Sequence, residues 1–185
     1  MSRIGGEAVI IPDRAMLQAS ELYGATTSAL DDDRWALLRP PEPCAEGAYP
    51  SAVLCRSSRA VSAMVGVDGT LNVTVEHVGV YSSNGARRYV RDLRRALDRC
   101  RGMDVQGSWK IIDAGLAGRH SLLLRLRQET DHAGRTATRT TFVAIARVGR
   151  VLVVVADIGG DAGDGRSELV AELISPALRR TNFLL

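Results

Sequence analysis

The sequence contains three adjacent segments, SLLLRLRQ (Ser121–Gln128), TATRTTFVAIAR (Thr136–Arg147) and VLVVVADI (Val151–Ile158), from which the fold can be inferred. Their β-branched and apolar residues predict three successive strands, joined by turns at 132–135 and at Gly149-Arg150. The short second turn favours an antiparallel hairpin. The last segment is apolar at almost every position through Ala156, which indicates a strand buried on both faces in the middle of a sheet.

Three further strands extend this sheet. Ser58–Val67 and Thr70–Tyr81 alternate apolar and polar residues on either side of Asp68-Gly69, which is a strong hairpin signal. Trp109–Ala114 has the same strand-like character and leads into the first of the three segments above.

Helices are predicted at Asp13–Tyr23, Asn84–Cys100 and Ser167–Arg180, and Pro176 is expected to kink or break the last one. Together these elements predict an α+β fold, in which a mostly antiparallel sheet carries the helices on one face as a two-layer arrangement. We expect one domain over residues 1–185, with a loose leader at residues 1–10.

Composition describes an ordinary soluble domain, with 45% apolar residues, 24% charged residues and a net charge of +3. No apolar run is long enough to span a membrane, and the N-terminus lacks the apolar core of a signal peptide. Two origins therefore stay open, a cytoplasmic protein and a piece of an exported one.

Motifs of catalysis are missing from the sequence: there is no nucleophile elbow, H-E-x-x-H, P-loop or G-x-G-x-x-G. His77, His120 and His132 stand alone, and we expect each to be a surface or satisfied side chain. No cofactor or metal is expected, although an enzyme with a dispersed active site remains an alternative.

Acidic residues occur in the glycine-rich loop Gly159–Gly165, where Asp161 and Asp164 are oxygen donors suited to a hard cation. The loop lacks the regular acidic alternation of a calcium loop, so a solvated turn is the favoured interpretation.

The outer face of the helix Asn84–Cys100 is rich in arginine, including Arg87, Arg91, Arg94 and Arg95. Such a face is either a solvated surface in an arginine-rich protein or a binding surface for anionic lipid or wall polymer. Few aromatic residues are interleaved with the arginines, which argues against binding of single-stranded nucleic acid.

The three cysteines, Cys44, Cys55 and Cys100, have neither a C-x-x-C spacing nor a zinc-like pattern. They are either three reduced thiols or one disulfide and one free thiol, the latter in an oxidising compartment.

Four segments carry a resemblance: Ile11–Leu17 (IPDRAML), Arg39–Cys44 (RPPEPC), Arg91–Cys100 (RDLRRALDRC) and Arg147–Val155 (RVGRVLVVV). Together they resemble actinobacterial extracytoplasmic sensor domains, a group similar to the extracellular C-terminal domain of mycobacterial serine/threonine protein kinase H and related lipoproteins. The resemblance implies a disulfide-stabilised α+β domain, secreted or membrane-anchored. It further implies a non-catalytic protein that binds an unknown small ligand or a cell-envelope component.

Within that resemblance we predict a disulfide between Cys44 and Cys100, which would clamp a proline-rich loop to a helix end and leave Cys55 free. Pairing of Cys44 with Cys55 is the alternative. We further predict a cleft for an apolar or anionic ligand between the helices Asn84–Cys100 and Ser167–Arg180, with Asp161 and Asp164 at its rim. The alternative is that the protein's own side chains fill this groove.

Overall fold

The sheet is antiparallel throughout and runs in the order β1-β2-β3-β7-β6-β5-β4. It has seven strands within residues 9–44, 47–100, 107–132, 135–160 and 163–185, the parts of the chain that this computed structural model describes. The strands are β1 (Thr27–Ala29), β2 (Cys55–Val67), β3 (Thr70–Tyr81), β4 (Ser108–Ala114), β5 (Ser121–His132), β6 (Arg135–Val148) and β7 (Val151–Gly159). The α-helices are α1 (Gly85–Arg99) and α2 (Ser167–Arg180). The α+β class and the antiparallel sheet are confirmed.

The turn between β2 and β3 shows why its sequence is diagnostic. Asp68 has a φ of 50° and Gly69 a φ of 76°, so both central residues adopt the left-handed region that a type I′ hairpin turn needs. The turn predicted at 132–135 includes residues 133 and 134, which lie outside the described residues.

Strand β7 lies at the centre of the sheet between β3 and β6, and every one of its residues is buried. Leu152, Val154 and Ala156 pack in the same cluster as the apolar stripe of α1. Val151, Val153 and Val155 pack instead with the buried face of α2. Because successive residues of a strand point to opposite faces, the two helices lie on opposite sides of the sheet.

The predicted placement of both helices on one face is therefore wrong, and the molecule has three layers. The physical reason lies in the sequence of β7. A strand with apolar side chains on both faces must be covered on both faces.

Two irregular segments complete the layers beside β2 and β3. On the α2 side, an N-terminal segment buries Ile11, Ala15, Met16, Leu17 and Leu22. On the α1 side, the segment 30–54 buries Leu30, Leu38 and Tyr49. We call the latter segment the 30–54 strap, and it carries the candidate functional site.

The predicted helix Asp13–Tyr23 is wrong, because it is limited to a single 3-10 turn at Asp13–Ala15. Two backbone groups that a continuous helix would pair, the N–H of Leu17 and the carbonyl of Asp13, have other partners. The N–H of Leu17 donates to the carboxyl group of Glu76 (2.8 Å). The Gln18 side-chain amide donates to the carbonyl oxygen of Asp13 (2.8 Å), which would have been the helical acceptor for Leu17.

The other two helices are close to their predicted bounds, and α2 continues through Pro176 as one helix rather than ending there. Strand β1 was missed. It is three residues long and exposed throughout, so it has no apolar alternation to reveal it.

Candidate functional site: a tryptophan-walled pocket

The 30–54 strap is fixed to α1 at two points and is braced by a hydrogen bond within itself. A disulfide joins Cys44 in the strap to Cys100, at the C-terminal end of α1, with 6.1 Å between the two Cα atoms. The Tyr49 hydroxyl donates a hydrogen bond to the carbonyl oxygen of Pro43 (2.9 Å), and the Tyr89 hydroxyl on α1 donates to that of Pro41. These contacts shape an otherwise irregular loop.

The predicted disulfide is confirmed, and the alternative pairing of Cys44 with Cys55 does not form. Cys55 is a free thiol at the start of β2. Burial raises its pKa, so it is a weak nucleophile.

A surface pocket of about 540 Å³ lies where the strap meets the edge strand β4. Its described lining residues are Asp33, Trp35, Ala36, Leu37, Pro40, Glu42, Pro43, Gly47 and Trp109. We call this site the tryptophan pocket. Trp35 comes from the strap and Trp109 from β4, and they are the only two tryptophans in the sequence.

The residues that line the tryptophan pocket carry an indole N–H donor and carboxylate acceptors. The Trp109 indole nitrogen Nε1 is buried and has no hydrogen-bond partner among the described residues, although a buried indole N–H usually has one. Burial raises the pKa of the Glu42 carboxyl, while a backbone hydrogen bond from Tyr49 opposes the shift. The described lining contains two carboxylates and neither arginine nor lysine, so its electrostatics favour a neutral or cationic ligand.

The predicted cleft between the helices Asn84–Cys100 and Ser167–Arg180 is wrong, because the sheet lies between the two helices. Of the predicted rim residues, Asp161 lies outside the described residues. Asp164 accepts a hydrogen bond from the backbone N–H of Thr140 (2.7 Å) and lines a different pocket of about 610 Å³, together with Leu71 and Arg166. Its role at a ligand site stays a prediction.

The arginines predicted as an anion surface, Arg87, Arg91, Arg94 and Arg95, are all exposed on α1. Arg91 Nε lies 3.9 Å from a carboxylate oxygen of Asp92. Arg87 and Arg94 belong to a different environment, because their charges act on His120. Anion binding by this face stays a prediction.

The histidines differ from one another. The prediction that His77 is a surface or satisfied side chain is wrong, because it is buried and its Nε2 has no hydrogen-bond partner in the described parts of the chain. Burial, followed by the nearby charge of Arg39, lowers the pKa of His77 to about 4, so its ring is neutral at pH 7. It lines a pocket of about 460 Å³ under the strap, beside the tryptophan pocket.

Within the described residues, no three His, Cys, Asp or Glu side chains form a group that would hold a metal ion. No helix in those same segments has the length and apolar character needed to cross a membrane.

Sequence reasoning missed the tryptophan pocket. The available signal was compositional. Aromatic residues are only 4% of this chain, so each of its two tryptophans was a candidate binding residue. Nothing in the sequence pairs Trp35 with Trp109. Both tryptophans line one pocket because of the path of the strap and the position of β4 at the sheet edge. Neither feature produces a periodic pattern of apolar residues in the sequence.

Comparison with known proteins supports the fold. No protein-family model and no curated protein matches this sequence. Among solved structures, the extracellular domain of PknH from Mycobacterium tuberculosis has a similar fold, with a TM-score of 0.50 and 11% sequence identity. The match covers 89% of this chain and 93% of that chain. At this identity the likeness shows a shared fold, which agrees with the resemblance found in the sequence.

Proposed function

We propose that this chain is a non-catalytic, sensor-type domain that works outside the cytoplasm and binds its ligand in the tryptophan pocket. The observation that carries the proposal is the pocket itself, which is lined by both tryptophans and by the carboxylates of Asp33 and Glu42. Such a mixture of apolar walls and a few convergent polar groups is typical of a ligand site.

Two findings support the location. The Cys44–Cys100 disulfide is of a kind that persists in oxidising compartments and is rare in the cytosol. The structural neighbour from Mycobacterium tuberculosis is an extracellular domain. Export as a secreted or membrane-anchored protein is part of the proposal.

The ligand we propose is a saccharide unit of the cell envelope. Its hydroxyl groups would donate to the carboxylates of Asp33 and Glu42, while its flat face stacks on an indole ring. An anionic ligand is disfavoured here, because it would meet two carboxylates and no described cation in the lining.

The test uses the protein's own tryptophans. Because both line the pocket, intrinsic fluorescence reports directly on binding. Titration with short N-acetylglucosamine oligomers should change the emission saturably. By calorimetry, Trp109→Ala should weaken binding by roughly tenfold, as expected for loss of a stacked aromatic ring.

A matched control is Phe183→Ala, which removes an exposed aromatic ring beyond the end of α2, and it should bind as the wild type does. Failure of neutral saccharides to bind, or equal loss in both variants, would contradict the proposed pocket. Reproducible hydrolysis of the oligomer would contradict the non-catalytic role.

A further inference from the structure

Arg119, His120 and Arg147 form a contact cluster at one end of β5 and β6. The Nε of Arg119 lies 3.1 Å from His120 Nε2, and Nη2 of Arg147 lies 3.0 Å from the same nitrogen. A guanidinium group only donates, so His120 Nε2 must be the acceptor of both contacts. The backbone also holds the pair together, since the N–H of Arg147 donates to the carbonyl oxygen of His120 (3.2 Å).

Helix α1 adds two more cations to this cluster. Arg147 follows Ile145 by two positions, so its side chain leaves the sheet on the face that α1 covers. The charges of Arg87 and Arg94 on α1, together with those of Arg119 and Arg147, lower the pKa of His120, after burial as the largest cause. Burial and the charges of Arg87 and Arg119 likewise lower the pKa of Arg147.

The arrangement concentrates positive charge from three parts of the chain, and the charges that act on His120 from the described residues all belong to arginines. Within the described segments, none of the four arginines takes part in an ion pair. Two guanidinium groups instead share one imidazole nitrogen, which has a single lone pair. One shared lone pair satisfies the N–H donors of two guanidinium groups poorly, because each guanidinium can donate two parallel hydrogen bonds to an oxyanion.

We propose that Arg87, Arg94, Arg119 and Arg147, with His120 at their centre, form a binding site for a phosphate-class oxyanion. A phosphoryl group offers several acceptor oxygens, so it would satisfy both guanidinium groups that now compete for His120. The phosphoryl group comes either from a soluble ligand or from a phospholipid headgroup. This oxyanion site is separate from the tryptophan pocket. It favours an anionic ligand, whereas the tryptophan pocket favours a neutral or cationic one.

His120 provides a direct readout of occupancy. The positive charges around it arise from α1, from the segment before β5 and from β6, and all four belong to arginines. A bound anion would offset these charges and raise the pKa of His120. His77 is buried under the strap and should not respond, so it serves as an internal reference.

The experiment follows histidine ring resonances by NMR while inorganic phosphate replaces chloride at constant ionic strength. The titration midpoint of His120 should move to higher pH as phosphate is added. In Arg87→Glu/Arg94→Glu the apparent phosphate affinity should fall by roughly tenfold or more, as expected for loss of two charge-assisted contacts.

A matched control is Arg88→Glu/Arg95→Glu, which reverses two exposed charges one position along the same helix. It makes the same change in net charge, so retained binding would separate a defined site from general attraction. Equal weakening in both double variants would overturn the proposal.

The two sources of the anion are separated by a second arm with vesicles of phosphatidylcholine, with or without phosphatidylglycerol. A His120 response to soluble phosphate supports a soluble phosphoryl ligand. A response only to vesicles that contain phosphatidylglycerol, lost in Arg87→Glu/Arg94→Glu, supports a lipid headgroup. No response of His120 to either would overturn the site, whatever the outcome for saccharides at the tryptophan pocket.

Discussion

Glu76 is an acidic residue in an environment that disfavours its charged form. It lies in β3 under the N-terminal segment and is buried. One carboxyl oxygen accepts a hydrogen bond from the N–H of Leu17 (2.8 Å), while Oε1 has no partner among the residues that the structure describes. Within the same residues the Thr74 hydroxyl also lacks a partner, and both side chains line a cavity of about 10 Å³, close to the minimum for one water molecule.

Burial raises the pKa of Glu76 from 4.5 to about 8, so the folded protein keeps this carboxyl protonated at pH 7. In the unfolded chain the same group ionises near 4.5. The unfolded state therefore loses its proton first as the pH rises, and the free energy of unfolding falls between about pH 4.5 and pH 8.

We expect Glu76→Gln to remove this pH dependence and to stabilise the protein most above pH 8. The difference between the two pKa values sets an upper limit of roughly 5 kcal/mol on the gain. Urea unfolding of variant and wild type at pH 5 and pH 8 measures it. Glu168→Gln, at an exposed position of α2, should show no such gain between the two pH values. A stability difference that does not grow with pH would contradict the assignment.

At the scale of elements, the disulfide is the feature that organises the 30–54 strap. The bond closes a loop with a sequence separation of 56 residues, for which the chain-entropy model gives about 4 kcal/mol of stabilisation. Its effect should extend to the tryptophan pocket, because Cys44 directly follows Pro43, one of the lining residues.

Cys44→Ser/Cys100→Ser should therefore lower the free energy of unfolding by about 4 kcal/mol and shift the tryptophan emission of the folded protein. Denaturant unfolding followed by fluorescence measures both effects. Cys55→Ser, which removes the free thiol, should leave the emission nearly unchanged. Equal losses in the free energy of unfolding for both variants would contradict a specific stabilisation by the disulfide.

Elements with a periodic apolar pattern could be predicted from sequence, whereas elements defined by distant hydrogen bonds could not. The stripe of α1 and the Asp68-Gly69 hairpin carry their own signals. Residues 13–23 have apolar side chains at plausible helical spacing, but the Glu76 carboxyl takes the N–H of Leu17. The disulfide followed from the family resemblance, and the tryptophan pocket had no local signal.

At the scale of the whole molecule, the three-layer arrangement makes β7 a shared core. Val153 packs on the α2 side and Val154 on the α1 side, and each is about 1% exposed or less. If both helices packed on one face of the sheet, one of these two valines would lie on the uncovered face and be exposed to solvent.

We expect Val153→Ala and Val154→Ala to destabilise the protein by similar amounts, roughly 1–3 kcal/mol each, because both leave a cavity in a packed layer. Thermal or urea unfolding measures the two values. Met64→Ala, on β2 at a position 53% exposed, is the control and should cost little. A large loss at only one of the two valines would contradict the three-layer arrangement.

The strand order also bears on how the chain is made. Apart from the β3–β7 pairing, each neighbouring pair in the described sheet joins strands that follow one another along the chain. Until β7 has left the ribosome, β3 therefore has an open edge of unpaired backbone groups, a template for aggregation. An exported form would therefore aggregate least if it stayed unfolded until β7 was available to pair with β3.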